Sequence, residues 1–82
     1  MIAYLDGHLV EKTLTRLVID VNGVGFELLI PMSTYDKLPP VGEKLTLKVY
    51  LHFRQEIMQL FGFYTDAEKA LFHLLISSVS GI

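Results

Sequence analysis

Residues 44–63, KLTLKVYLHFRQEIMQLFGF, decide how this chain is read. Leu45, Leu47, Val49, Leu51 and Phe53 alternate with Thr46, Lys48, Tyr50, His52 and Arg54. Alternation with a period of two is the mark of a half-buried β-strand, because successive side chains leave the pleat on opposite faces. The pattern breaks at Arg54-Gln55-Glu56 and resumes in Ile57, Met58, Leu60, Phe61 and Phe63. Two apolar runs around a short polar break predict a β-hairpin with a charged tip. The arms are expected to supply core, and the tip any exposed chemistry.

On the N-terminal side, MIAYLDGHLVEK reads as a strand interrupted at Asp6-Gly7. A glycine inside a strand pattern predicts a bulge or sharp bend, as a small barrel needs in a strand that serves both of its sides. Lys12 to Thr15 is a polar turn, and Leu17, Val18, Ile19 and Val21 form a β-branched second strand. Asn22-Gly23-Val24-Gly25 is read as a hairpin turn, and Phe26 to Ile30 returns as a third strand ended by Pro31. Ser33 to Leu38 is expected to make one helical turn capped by Ser33 or Thr34, closed by Pro39-Pro40. After Phe63 the period changes. Thr65 with Glu68 is a capping box, and Ala67, Ala70, Leu71, Leu74 and Leu75 have helical spacing. Five strands and one helix predict a mostly β fold: a small OB-type Greek-key barrel with a C-terminal helix. An open sheet capped by the helix is the alternative. The helix, with nothing evident to pack against and half a turn after it, suggests a chain that continues past Ile82.

Eighty-two residues suffice for one small domain. A hydrophobic content of 51% is high for that length, which points to a dense core or a surface that another chain covers. No apolar run reaches the length of a membrane span, no signal peptide is expected from Met1-Ile2-Ala3 followed by Asp6, and cysteine is absent, so disulfides and thiolate metal sites are excluded. Cytoplasmic localisation is expected. Seven Lys/Arg against nine Asp/Glu give a net charge of −2, unlike most free-standing nucleic-acid binders, whose affinity comes from neutralising phosphates.

No arrangement for catalysis stands out. His8, His52 and His73 lack metal-ligand spacing. No serine sits in a nucleophile elbow, and Asn22-Gly23-Val24-Gly25 precedes no helix, unlike a phosphate loop. An enzyme and a cofactor are therefore disfavoured. Lys48, Tyr50, His52 and Arg54 share one face, which allows two readings. They form a stacking platform for single-stranded bases, or Tyr50 packs against a neighbouring strand or subunit, and the negative net charge favours the second.

The order of motifs resembles the RuvA family, which binds Holliday junctions. MIAYLDGHLVEK is similar to that family's opening strand, and VIDVNGVGFELLIP to its Gly-rich hairpin. LHFRQEIMQLFGF resembles its long hairpin, and EKALFHLLISSVSGI the helix leading into its helix-hairpin-helix motif. The resemblance covers the whole chain. It implies a barrel over residues 1–63 and the start of a helix-hairpin-helix domain, truncated, over 64–82. It further implies a homotetrameric platform that holds a four-way junction for recombination and repair. The ATP chemistry would belong to the RuvB motor, reached through a domain this chain lacks. The RuvC resolvase is a further implied partner, and no membrane is involved. In the family, hairpin tips form an acidic pin at the crossover, where carboxylates repel phosphates. The pin positions fall on Gln55 and Glu56, so one acid stands where many members carry two. Arg54 would lie beside DNA, and Gly81 would open the first helix-hairpin-helix loop, whose backbone N–H groups meet phosphate. Two rival functions follow from the residues alone: a single-strand-binding module and a purely structural assembly domain.

Overall fold

The alternating strands close on themselves. In a computed structural model describing residues 2–80, strands β1 (Tyr4–Lys12), β2 (Arg16–Val21), β3 (Val24–Leu29), β4 (Lys44–Arg54) and β5 (Ile57–Phe63) form a closed barrel in the order β1-β2-β3-β5-β4. All neighbours are antiparallel except β3 and β5, which meet in parallel at Leu29 and Phe61. This is the OB-type barrel, not the open sheet. A short helix, α1 (Met32–Tyr35), lies between β3 and β4, and a longer one, α2 (Asp66–Ser80), follows β5.

The core is the set of inward positions. Leu5, Leu9, Leu17, Ile19, Leu28, Ile30, Leu45, Leu47 and Val49 pack together, with Phe63 also buried. Closure removes the sheet edges that a small β domain would otherwise expose.

β1 is the strand that serves both sides. Tyr4 to His8 pair with Lys48 to Lys44 of β4, and His8 to Lys12 pair with β2. The bulge that accompanies this change of partner lies between Leu9 and Glu11, not at Gly7 as the sequence suggested. Gly7 is needed for a different reason. A Cβ there would stand 2.2 Å from the carbonyl oxygen of Asp20, so only a hydrogen lets β1 and β2 approach this closely. The second hairpin is also tighter than predicted. Asn22 and Gly23 alone make the turn, with φ of 52° and 91°, while Val24 and Gly25 already belong to β3. Positive φ at both central residues matches the right-handed twist of the flanking strands. The Asp20 carboxylate accepts from the Gly23 N–H at 2.8 Å and fixes the turn.

Two helical expectations need correction. α1 has Pro31 as N-cap and no side-chain cap from Ser33 or Thr34. Thr34 is instead fully buried, and its hydroxyl has no hydrogen-bond partner among the described residues. α2 does pack, and it packs by another face than the apolar spacing indicated. Ala67, Ala70, Leu71, Leu74 and Leu75 are exposed, whereas Glu68, Phe72 and Ile76 are partly buried. The ring of Phe72 sits 4.6 Å from Phe61, 5.1 Å from Phe63 and 5.8 Å from Tyr50, centroid to centroid. Such edge and tilted contacts between rings are favourable, and they seat the helix on the outside of β4 and β5.

Candidate nucleic-acid interface

β4 and β5 outrun the barrel. Val49 is fully buried, Leu51 half-buried and Phe53 exposed, although all three share one side of the strand. The sequence placed Phe53 in the core. It lies outside because the barrel ends near Leu51 while the strand continues. Pairing persists to the end, through His52–Gln59, Phe53–Met58 and Arg54–Ile57. From Val49 to Gln55 the arm extends about 20 Å at the rise of an extended strand.

Gln55 and Glu56 form the turn, with φ of 50° and 64°. Positive φ at both central residues is the hairpin pattern that Gly and Asn usually fill. Here two long side chains occupy the left-handed region, at a cost on the order of 1 kcal/mol each. The backbone therefore presents both side chains at the extremity of the arm, and both residues are exposed. Neither Arg54 nor Glu56 has an ion-pair partner among the described residues.

Directly paired residues of an antiparallel ladder share a face, so the arm has two. One carries Leu51, Phe53, Met58 and Leu60. The other carries Tyr50, His52, Arg54, Ile57, Gln59 and Phe61, and its outer part forms an open groove of about 300 Å³ lined by His52, Arg54, Gln55, Ile57, Gln59 and Phe61. The alternative platform of Lys48, Tyr50, His52 and Arg54 does not assemble. Tyr50 is covered by α2, its ring lying 5.3 Å from His73 and 5.8 Å from Phe72, and Lys48 reaches Asp66 at 3.8 Å. Within this chain Tyr50 packs on the helix α2 as well as beside His52 of its own strand. Among the described residues no group of three His, Cys, Asp or Glu could hold a metal ion. Gly81 lies outside the described residues.

Glu68 is the residue the sequence undervalued. The capping box forms: the Thr65 hydroxyl accepts from the Glu68 N–H at 3.1 Å, and the Glu68 carboxylate accepts from the Thr65 N–H at 3.1 Å. The same carboxylate also accepts from the Tyr64 N–H at 3.2 Å and from the Ser33 hydroxyl of α1, with Lys37 at 3.9 Å. One side chain thus ties the start of α2 to the α1 segment. Burial pushes the Glu68 carboxyl up. The Ser33 hydroxyl, the Thr65 N–H, the Lys37 charge and the Tyr64 N–H outweigh it and hold the carboxyl below the usual range. Tyr64 is shifted up by burial. Ser33 lies 35 residues from Glu68, so no local pattern could have linked them.

Comparison with known proteins follows the same outline. The family described as the RuvA N terminal domain matches residues 1–62. Proteins named Holliday junction branch migration complex subunit RuvA align with all of this chain: 52% identical in Syntrophotalea carbinolica, covering 41% of that protein. The counterpart in Syntrophus aciditrophicus is 50% identical, with 40% of its length covered, and that of Geobacter metallireducens is 50% identical, with 41% covered. The chain therefore spans about two fifths of the length of the curated relatives it matches.

Proposed function

This chain belongs to the RuvA family, whose N-terminal domain it forms, and from that premise we infer that its hairpin arm meets a four-way DNA junction at the crossover. The observation that carries this reading is the arm itself. It is a paired ribbon that leaves the barrel and ends in an exposed Glu56 with no ionic partner among the described residues, beside an equally unpaired Arg54.

A carboxylate at a fixed distance from the barrel repels the phosphates that surround it. At a crossover, where four backbones converge, that repulsion keeps strands from collapsing onto one another. Gln55 fills the adjacent pin position without charge. Arg54 points the opposite sign of charge at a phosphate on the groove side. Four copies around a four-fold axis would bring four such tips together, which suits one acid per subunit. The net charge of −2 fits a domain that positions DNA while other parts of the protein grip it. The exposed side of α2, with Leu71, Leu74 and Leu75, is where a following helix-hairpin-helix domain would be built, with Gly81 opening its first loop. Contact with RuvB, and with RuvC, would lie in those further parts. The domain is a non-catalytic, cytoplasmic subunit on this reading, and branch migration is driven by the RuvB motor. Cover of Tyr50 by α2 argues against the single-strand-binding alternative.

The test is a gel shift with a four-way junction and a linear duplex of equal length, using this chain and the full-length protein that carries it. Preference of the full-length protein for the junction supports the reading. Equal affinity for both DNAs would remove it.

A further inference from the structure

Resting on the junction reading above, we propose that Phe72 is a positioning residue: it fixes the angle between the arm that carries the tip and α2, which leads toward the DNA-gripping part. α2 is fastened at two points on one face, since Glu68 and Phe72 stand four residues, about 6 Å, apart along the helix. Glu68 holds Ser33 and Lys37 of the α1 segment. Phe72 rests on Tyr50 and Phe61, with ring centroids 5.8 Å and 4.6 Å away. Those two residues pair directly across β4 and β5, and their ribbon runs on through His52–Gln59 and Arg54–Ile57 to the tip. His52 lies 6.2 Å from Tyr50 and 6.5 Å from Phe61, so ring contacts lead without a break from the helix to the outer groove of the arm.

The barrel closes without this contact. Among the described residues, no member of α2 belongs to the core cluster. What the ring adds is direction. A helix held only at its capped end can swing about that point, and a second anchor one turn later stops it. From Tyr50 to Arg54 the ribbon extends about 13 Å. Functional sites hold their parts within about 10–20° of the productive geometry, and a swing of about 20° over that lever would shift the tip by roughly 4 Å relative to anything built on α2. Repulsion between a carboxylate and nearby phosphates changes steeply over such a distance. A constant angle between tip and grip matters for a four-way junction, which meets both at once. It matters little for a straight duplex, which needs only the grip.

The test is a cycle of Phe72→Ala and Glu56→Lys in the full-length protein, with a four-way junction and a linear duplex of equal length as probes. Phe72→Ala should lower the preference for the junction about fivefold while duplex binding stays within twofold. Glu56→Lys should tighten junction binding in the unsubstituted background and lose most of that gain beside Phe72→Ala, because the tip is no longer held where the phosphates are. Phe72→Tyr, which keeps the ring, should restore both effects. An undiminished junction preference in Phe72→Ala overturns the proposal. So does an equal fall in affinity for both DNAs, or an equal gain from Glu56→Lys in both backgrounds, since each is what a merely stabilising contact would give. If Phe72→Ala does not fold, Tyr50→Leu removes the ring contact from the barrel side and is read by the same outcomes. Failure of the functional reading beneath the proposal is seen before Phe72 is touched, as absence of junction preference in the unsubstituted protein, and the proposal falls with it.

Discussion

Replacing Glu68 tests how α2 is held. In Glu68→Ala the reciprocal cap is lost, at about 1 kcal/mol for a helix of this kind. The hydrogen bond from Ser33 is also lost, which adds roughly another 1 kcal/mol. The sum of about 2 kcal/mol is large for a domain of this size and should lower its melting temperature by about 8–16 °C. Glu68→Gln keeps an acceptor but no charge and should cost about half as much. The sign with pH follows from the depressed carboxyl. A group held below its unfolded value stabilises the fold above that value, 4.5 here. The contribution is lost as pH falls through the lower, folded one. The difference between the unsubstituted chain and Glu68→Gln should therefore be full at pH 7 and shrink as the solution is acidified below about 4.5. Urea unfolding followed by circular dichroism at several pH values reads this difference directly. A constant difference from pH 7 to pH 3 would refute the argument, because it would mean the ionised form has no special partner in the folded state.

Gly7→Ala forces a methyl onto the Asp20 carbonyl and should destabilise the barrel by about 3 kcal/mol or more, read as a lower urea midpoint. An unchanged midpoint would mean that β1 and β2 are not so close. Thr34→Val replaces a buried, unpartnered hydroxyl with a methyl and should raise stability by about 1 kcal/mol; a loss would show that the hydroxyl has a partner. Glu56→Lys in the full-length protein should tighten junction binding and steepen its salt dependence, since a repelling charge becomes an attracting one. Equal or weaker binding would count against an electrostatic pin.

Most of the barrel could be read from period-two alternation, and the start of α2 from Thr65 and Glu68. These signals are local, and local sterics and capping chemistry dictate them. What escaped were the consequences of distance. Nothing in the alternation of Leu51 and Phe53 says where a barrel ends, so Phe53 was assigned to a core that stops before it. The leucines of α2 outweighed Phe72 in the helical pattern, yet the barrel offers Phe61, Phe63 and Tyr50, and rings met rings. The Gly7 signal was right in position but not in cause, since the close neighbour is thirteen residues away at Asp20. The pin positions at the tip came from family resemblance. The sequence itself supplied only a short polar break there, and the structure added its left-handed turn.

The double duty of β1 also orders events in time. Its partner in β2 is complete soon after it is made, but its partner in β4 ends at Lys48. The β1–β2–β3 meander can be complete by Leu29, and the barrel can close only when Lys48 has been made for Tyr4 and Phe61 for Leu29. At ordinary translation rates the interval from Leu29 to Phe61 is roughly two to six seconds. For that time the nascent chain carries half a core and an open strand edge, and the last wall of the barrel is supplied by the same segment that becomes the arm.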